Sequence, residues 1–308
     1  MTKTAIIFPG QGSQKVGMGL DLLDISKESK NTFNDAFNYL GEDYKTVCFE
    51  GPQEQLKKTQ YAQPLIFLIS AIIFNELKKK DITPSYIAGH SLGELTAYYA
   101  SGVLDLESTL SIIKKRGELM AKAHPSEDSA MCAVIGSTED TIKDCINETS
   151  IQPVVAANYN CPSQIVISGK KEGVNECKEK LVSRGAKCID LPVSGAFHSP
   201  LMNSAAEGLS SFISDQSFNE AMYPIVLNRQ AIPETNKHNL KENIALQVNS
   251  SVLWTKTIQF FEKENIDTLI EVGPGRVLSG LAKKTCSINT ISINSAESLH
   301  EFCQNTSK

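Results

Sequence analysis

The sequence of 308 residues predicts an α/β protein in which helices cover a parallel sheet. Short apolar, partly β-branched runs such as Thr4–Phe8 alternate with segments of helix length such as Leu106–Ala123. Apolar residues make up 41% of the chain and charged residues 21%, which is typical of globular proteins. This composition excludes a disordered, collagenous or coiled-coil chain.

The first 128 residues carry two predicted strands and three predicted helices. Each strand is a short apolar run that ends at a glycine or a Pro-Gly pair. The first helix ends in a lysine-rich turn, which suits a helix C-terminus. In chain order the elements are strand Thr4–Phe8, helix Gln63–Lys80, strand Tyr86–Ala88, helix Leu92–Ser101 and helix Leu106–Ala123.

The middle of the chain follows the order strand-helix-strand-strand-helix-strand, which is that of the ferredoxin-like unit. We therefore expect a small subdomain at residues 129–193, inserted into a core formed by residues 1–128 and 194–308. Its predicted elements are Met131–Ile135, Glu139–Glu148, Val154–Ala157, Ile165–Ser168, Lys170–Arg184 and Cys188–Leu191, with a turn at Asn160–Ser163. Helices Leu201–Ile213, Leu240–Gln247 and Thr255–Lys263, strand Thr268–Val272 and a helix from Arg276 follow.

The charge balance argues against a general nucleic-acid-binding protein. Thirty Lys and Arg residues stand against 35 Asp and Glu residues, for a net charge of −5, whereas nucleic-acid binding needs positive potential. Lysine clusters at 57–58, 78–80, 114–115, 170–171 and 283–284 could contact an acidic partner. Such clusters more often lie on solvated faces.

The cysteines and the apolar runs predict a soluble cytoplasmic protein. None of the eight cysteines forms a Cys-x-x-Cys pair, so we expect no zinc or redox motif and mostly buried thiols. The N-terminus lacks the long apolar region of a secretory signal. The most apolar run, Leu65–Phe74, is about half a membrane span. We expect no membrane partner.

The strongest chemical signal is the Gly-x-Ser-x-Gly motif at residues 89–93, between a predicted strand and a predicted helix. The two glycines permit a sharp turn that presents the hydroxyl of Ser91. The following helix directs its N–H groups and dipole to this point, where negative charge could develop. These features predict a nucleophilic serine; the alternative is a tight turn whose serine only caps a helix.

A serine nucleophile needs a base, and the chain offers five histidines. They are His90, His124, His198, His238 and His300. His198 stands in a loop of small residues at a predicted domain boundary, where clefts form, whereas the side chain of His90 should point away from Ser91. Position therefore favours His198 as the base, and the alternative is a loop histidine bonded to nearby backbone.

Two further features have open interpretations from the residues alone. The loop Phe8–Gln14 follows the first strand but fits neither dinucleotide nor P-loop spacing, so it is either a structural turn or a source of a backbone N–H donor for an oxyanion. Arg116 lies in a predicted helix, where a lone arginine is usually solvated. If it faced the cleft, its guanidinium could hold a carboxylate with two hydrogen bonds.

Together these segments resemble the malonyl-CoA:acyl carrier protein transacylase family, which includes the acyltransferases of polyketide synthases. The matching segments occur in family order over nearly the whole chain. They are FPGQGSQ (8–14), AGHSLGE (88–94), KKRGELM (114–120), the region Ala133–Gly169, VSGAFHSPLM (193–202), QVNSSVLW (247–254) and EVGPGRVLSGL (271–281).

The resemblance implies a fold and a set of roles. The fold is a hydrolase-like α/β core that carries a ferredoxin-like subdomain. Ser91 would be malonylated and His198 would act as base and then acid, oriented by a backbone carbonyl near Gln247 in place of a carboxylate. The N–H groups of Gln11 and Leu92 would bind the oxyanion. Arg116 would bind the malonyl carboxylate.

The resemblance also implies the substrates. Malonyl-CoA would donate the acyl group to the phosphopantetheine thiol of an acidic acyl carrier protein, with no cofactor or metal, and we expect a monomer. Phe197, in Ala-Phe-His, resembles the variant associated with malonyl preference, and its ring would crowd an α-methyl branch. Methyl discrimination of this kind is about 1–3 kcal/mol.

Three alternatives remain open at this point. The chain could be a fatty-acid synthesis enzyme or a trans-acting polyketide acyltransferase, which differ in partner rather than in chemistry. It could also be a serine esterase or thioesterase that shares the elbow. An inactive carrier-protein-binding scaffold is the third alternative, and the intact Ser91, His198 and Arg116 weigh against it.

Overall fold

A computed structural model describes residues 3–80, 82–123, 127–193 and 195–306. Within them lie ten strands: β1 Thr4–Phe8, β2 Tyr86–Gly89, β3 Ser129–Ile135, β4 Val154–Cys161, β5 Gln164–Lys170, β6 Lys187–Asp190, β7 Ile225–Val226, β8 Pro233–Glu234, β9 Thr268–Val272 and β10 Asn289–Ile293. The candidate base His124 lies outside the described residues.

Thirteen α-helices lie in the same described ranges. They are α1 Lys27–Leu40, α2 Glu42–Phe49, α3 Gln53–Leu56, α4 Thr59–Lys78, α5 Leu92–Ala100, α6 Leu106–Ala123, α7 Glu139–Asn147, α8 Lys171–Ser183, α9 Asn203–Ile213, α10 Lys237–Gln247, α11 Trp254–Lys263, α12 Val277–Ala282 and α13 Ala296–Thr306. Short 3-10 helices at Leu20–Leu22 and Pro200–Met202 complete the helical segments.

The larger sheet has six strands in the order β10-β9-β1-β2-β7-β8. All neighbours are parallel except the last pair, β7 and β8. Helices cover both faces, so successive residues of β1 enter different apolar clusters, Ile6 and Phe8 on one side and Ala5 and Ile7 on the other. The predicted α/β fold with a parallel sheet is confirmed.

The register of this sheet brings two loops together. β1 and β2 are parallel and Phe8 pairs with Gly89, so the loops that follow both strands leave from the same edge. In open α/β sheets, ligands bind at this carboxyl edge. The segment from Pro9 and the His90–Ser91 turn therefore lie side by side.

The second sheet has four strands in the order β4-β5-β3-β6, and every neighbouring pair is antiparallel. Apolar residues of β3, α7 and α8 share one buried cluster, which holds the two helices against one face of the sheet. A parallel bridge between Asn158 and Val252 ties this sheet to the segment that precedes α11.

Several sequence-based boundaries need correction. The predicted start of α4 at Gln63 is late, because the observed helix begins at Thr59. The predicted four-residue turn at Asn160–Ser163 is too long: β4 continues to Cys161 and β5 begins at Gln164, so backbone pairing extends into it. The sequence analysis also did not predict α1, α2, α3, α13, β7, β8 and β10.

The prediction of mostly buried thiols is confirmed. All eight cysteines are free, and five of them, Cys48, Cys132, Cys145, Cys161 and Cys177, are buried. Among the described helices, none combines the length and the apolar character needed to cross a membrane.

Candidate active site

Ser91 occupies a strained turn between β2 and α5. Its φ of 51° and ψ of −108° lie in a region that a side chain normally avoids. The turn requires glycine on both sides: a Cβ at Gly89 would lie 1.9 Å from the carbonyl carbon of Gly93, and one at Gly93 would lie 2.1 Å from the carbonyl oxygen of Phe8. The predicted elbow therefore forms where the motif requires it.

The Ser91 hydroxyl oxygen lies 2.7 Å from Nε2 of His198. His198 is almost completely buried, and its φ of 57° is also in the left-handed region. It lies in the loop before α9, and its backbone N–H donates to the Val248 carbonyl at 3.1 Å. This distance suits direct proton transfer between the two side chains.

Two backbone carbonyls determine which His198 nitrogen carries the proton. Nδ1 lies 3.0 Å from the carbonyl oxygen of Gln247 and 3.1 Å from that of Ser250. Because carbonyls only accept hydrogen bonds, Nδ1 is the protonated nitrogen and Nε2 faces Ser91 with a free lone pair. Burial, with the nearby charge of Arg116, lowers the pKa of His198 to about 3, so the imidazole is a neutral acceptor at pH 7.

The guanidinium of Arg116 lies beneath the serine and is completely buried. It donates to the Ser91 hydroxyl oxygen at 3.2 Å, and at 2.8 Å each to the side-chain oxygens of Gln63 and Gln247. Of the two positions that the sequence left open for Arg116, the structure shows the one beside the nucleophile and not the solvated one. Burial lowers its pKa to about 10, which leaves it charged at pH 7.

Arg116 retains capacity for an anion. Among the described residues no carboxylate lies within 4.0 Å of its guanidinium, and its buried Nε has no acceptor. The buried charge is balanced only at longer range, through the carboxyl of Glu94. A buried guanidinium with only neutral acceptors is suited to receiving a carboxylate ligand.

The two predicted oxyanion donors come from the elbow itself and from the loop after β1. Leu92 is the first residue of α5, where N–H groups have no partner within the helix. Gln11 borders the same cavity as Ser91, and its side chain donates to the Thr59 hydroxyl at 3.2 Å. Neither backbone N–H has a protein acceptor within the described ranges, so both are available to a ligand.

A cavity of about 460 Å³ opens above Ser91, between the two sheets. Ser91, His198 and Gln63 line it together with Asn158 and Asn160 of β4. Phe197 also lines it, next to His198 and mostly buried. This volume suits a small acyl group with part of its carrier.

The side chains of the other described histidines form no hydrogen bond with the Ser91 hydroxyl. His90 points from the elbow to Asn160, with Nε2 2.9 Å from the side-chain oxygen, and packs edge-on against Trp254. His238 and His300 are exposed and remote in the fold. The structure thus brings together Ser91, His198, Arg116 and Gln247. His90 borders the same cavity as Ser91 without bonding to its hydroxyl, whereas His238 and His300 do not border it.

Three contributors were missed by the sequence analysis: Gln63, Glu94 and Asn228. Gln63 accepts from Arg116, and Asn228 accepts from the Ser91 N–H at 2.7 Å. Burial raises the pKa of Glu94 to about 7. The only signal in the sequence was Glu94 itself, the one charged residue in the stretch Leu92–Ala100.

Comparison with known proteins defines the class first. The acyl transferase domain family matches residues 5–305, so the chain belongs to that family and is an acyltransferase. More narrowly, it belongs to the malonyl CoA-acyl carrier protein transacylases. It is 38% identical over 303 residues to that protein of Bacillus subtilis, with 97% of this chain and 96% of the relative covered. A Staphylococcus aureus relative is 40% identical over 287 residues, with 92% of each covered.

Solved structures agree with this assignment. An acyl carrier protein S-malonyltransferase from Vibrio cholerae superposes with a TM-score of 0.94 at 34% identity, covering 98% of this chain and 100% of the other. A malonyl-transacylase in complex with a type II polyketide synthase acyl-carrier protein superposes with a TM-score of 0.95 at 34% identity, covering 99% and 100%.

Proposed function

We propose that the enzyme transfers a malonyl group from malonyl-CoA to the phosphopantetheine thiol of an acyl carrier protein through a malonyl-Ser91 intermediate. The observation that carries this proposal is the 2.7 Å contact between Ser91 and His198 with the guanidinium of Arg116 3.2 Å from the same hydroxyl. The nucleophile, the base and a cationic group suited to a carboxylate thus meet at the Ser91 hydroxyl oxygen.

In the first half-reaction the Ser91 hydroxyl attacks the thioester carbonyl while Nε2 of His198 accepts its proton. Nδ1–H continues to donate to the carbonyls of Gln247 and Ser250, which stabilises the imidazolium. Collapse of the tetrahedral intermediate expels coenzyme A thiolate, which takes the proton back from Nε2. Carbonyls thus do the orienting work that a carboxylate does in other triads.

The tetrahedral oxyanion would accept from the N–H groups of Leu92 and Gln11. A single donor of this kind contributes about 3–4 kcal/mol to transition-state stabilisation. The N-terminus of α5 adds its positive dipole end at the same point. No metal or cofactor is needed in this scheme because the thioester is already an activated acyl donor.

Arg116 would hold the free carboxylate of the malonyl group. Its Nε has no acceptor and its other nitrogens bond only neutral oxygens, so a carboxylate can be taken up without breaking an ion pair. A monocarboxylic acyl group would leave this buried charge unmatched. Phe197 beside His198 would limit branching at the α-carbon.

In the second half-reaction Nε2 of His198 removes the proton of the carrier thiol, and the sulfur attacks the carbonyl of malonyl-Ser91. The tetrahedral intermediate collapses by breaking the bond to the Ser91 oxygen, which takes the proton back from Nε2. The relatives are named for an acyl carrier protein substrate, and one structural relative was solved with such a partner. We propose an acidic, phosphopantetheinylated partner here, which Lys57 at the cavity border could contact by exchanging its 2.8 Å exposed ion pair with Glu54 for a carboxylate of the partner. Fatty-acid synthesis in the cytoplasm, by a monomer, is the proposed setting.

We further propose the finer fold description: a hydrolase-like core of residues 1–128 and 194–308 with a ferredoxin-like subdomain at 129–193. The ferredoxin-like subdomain is supported by the strand order β4-β5-β3-β6, which is antiparallel throughout, and by the two helices on one face of that sheet. The hydrolase-like core is supported by the parallel sheet and by the serine elbow directly after one of its strands.

Intact-mass spectrometry tests the function. Malonyl-CoA alone should add one malonyl group to the wild-type enzyme and none to Ser91→Ala. Adding a phosphopantetheinylated carrier protein should discharge the adduct onto the carrier, whereas the apo carrier, which lacks the thiol, should not. Release of mostly free malonate would instead favour a serine hydrolase, and no adduct on folded wild-type enzyme would favour a scaffold.

A further inference from the structure

Asn228 follows β7 and lies behind the serine elbow, completely buried. All of its polar groups are hydrogen-bonded within the protein. Its side chain engages the elbow, its backbone N–H engages Glu94, and its carbonyl oxygen accepts from the Leu253 N–H at 2.8 Å. Because all of these groups are paired, the Asn228 side chain is held in a single orientation.

The Asn228 side chain grips the elbow on both sides of the turn. The Ser91 N–H donates to Oδ1 at 2.7 Å, and Nδ2 donates to the carbonyl oxygen of Gly89 at 2.7 Å. These two peptide groups flank the strained φ and ψ of Ser91. A strained conformation persists only where its surroundings hold it, and here one amide side chain holds both ends.

Glu94 fixes Asn228 in turn. The Asn228 N–H donates to Oε2 of Glu94 at 2.5 Å, while Nδ2 of Asn243 donates to Oε1 at 2.7 Å. Glu94 lies in the first turn of α5, directly after the elbow. Elbow, helix and Asn228 therefore form a closed ring of hydrogen bonds around the nucleophile.

We propose that Asn228, held by Glu94, is a positioning residue that aims the Ser91 hydroxyl at His198 and reserves the oxyanion site for the N–H groups of Leu92 and Gln11. The second part follows because the Ser91 N–H is already committed to Asn228. The proposal rests on the proposed function, since it concerns formation of malonyl-Ser91.

The expected effect falls on chemistry and spares binding. The hydrogen bonds of Asn228 go to Gly89, Ser91, Glu94 and Leu253, and none of them goes to Arg116, which would bind the malonyl carboxylate. KM for malonyl-CoA should therefore stay within about threefold. A displaced nucleophile costs on the order of 10²-fold in rate. Asn228→Ala should therefore lower the rate of malonyl-Ser91 formation by about 10- to 100-fold.

The experiment is quenched-flow mixing with malonyl-CoA, followed by intact-mass spectrometry. Asn75→Ala is the matched control, because it removes an amide that accepts from the Tyr99 hydroxyl at 3.0 Å, far along α5 from Ser91. Wild type and Asn75→Ala should acylate alike. A loss of tenfold or more in Asn228→Ala supports the proposal, and a smaller loss overturns it.

A second pair of variants keeps the test decisive if Asn228→Ala does not fold. Glu94→Gln retains one oxygen for the Asn228 N–H. Its amide can donate to Oδ1 of Asn243 once the Asn243 amide rotates by 180°, because Nδ2 faces residue 94 in the wild type and Oδ1 is buried without a donor. We expect malonyl-Ser91 formation to be at least tenfold slower in Glu94→Ala than in Glu94→Gln. Equal rates in the two would overturn the proposal, whereas no wild-type adduct would remove the proposed function itself.

Discussion

The Ser91 hydroxyl and Nε2 of His198 lie 2.7 Å apart although 107 residues separate them in the chain. Both residues have positive φ, 51° and 57°, so neither conformation is a local preference. The second sheet lies in the chain between them, and its return path brings His198 back to the carboxyl edge of the first. Tertiary packing alone therefore assembles the pair.

Replacing Arg116 by alanine tests the acid receptor. Hydrogen bonds to charged groups contribute about 1.5–3 kcal/mol each, so kcat/KM for malonyl-CoA should fall on the order of 10²-fold or more. Transfer from acetyl-CoA should rise relative to malonyl-CoA, because no buried charge then awaits a carboxylate. Steady-state assays with the two donors measure both effects.

Arg116→Lys is the matched control. It retains the positive charge but not the planar pair of donors, so it should recover only part of the malonyl activity. Unchanged malonyl kinetics in Arg116→Ala would exclude this residue from substrate recognition.

The pH dependence of acylation tests the state of His198. Because burial lowers its pKa to about 3, the neutral base should persist well below pH 6.5, and kcat/KM should stay flat there while the enzyme remains folded. The measurement should be made in the Glu94→Gln variant. The pKa of Glu94 is raised to about 7, so its titration in the wild type would overlap with the pH range in which His198 is tested. An acid limb near pH 6.5 in that variant would contradict this assignment.

The same shift predicts a stability change. The unfolded chain binds a proton at His198 below about pH 6.5, whereas the folded protein excludes it down to about pH 3. Unfolding is therefore favoured as pH falls through this window, by at most about 1.4 kcal/mol per pH unit. Denaturant titrations at several pH values should show that the wild type loses more unfolding free energy towards acid pH than His198→Gln does. An equal pH dependence of the unfolding free energy in the two proteins would argue against a lowered pKa of His198.

Phe197→Ala tests the limit on branching. Removing a ring that lines the cavity next to His198 should admit an α-methyl group, and discrimination against methylmalonyl-CoA should fall by about tenfold. Leu191→Ala enlarges the same cavity on the β6 side and should change this ratio less. Competition assays with the two thioesters measure it, and equal effects of the two variants would assign selectivity to volume alone.

Gly93→Ala tests the packing of the elbow. Its Cβ would lie 2.1 Å from the Phe8 carbonyl oxygen, so the backbone must shift and stability should fall by about 3 kcal/mol or more. Gly280 is the contrasting helical glycine, exposed and with nothing within 4 Å of an added Cβ. Gly280→Ala should stabilise by about 0.5–1 kcal/mol. Thermal unfolding of both variants measures the two effects, and similar changes in Tm would contradict the predicted clash at Gly93.

Local pattern accounts for the elements that were predicted well. α6 and β9 match their predicted bounds because each is a continuous apolar or amphipathic run with clear ends. β7 has only two residues and carries no periodicity, yet it places Asn228 behind the elbow. α1 was missed although Phe33, Phe37 and Leu40 form a buried face at helical spacing.

The site residues that the sequence predicted are likewise those that carry a local signal. Ser91 stands out because glycines at fixed spacing surround it, and His198 because it lies in a loop of small residues. Gln63 and Asn228 belong to no local motif, and their importance comes from what lies across the fold. The burial of Arg116 also depends on long-range packing, which is why its position in a helix suggested a solvated face.

The most direct test of the central claim is the location and rate of the first covalent step. Single-turnover mixing with malonyl-CoA, with the adduct mapped by tandem mass spectrometry, should place the malonyl group on Ser91 alone. His198→Ala should slow its formation by on the order of 10³-fold. A malonyl group on any other residue, or an unchanged rate without His198, would contradict the account.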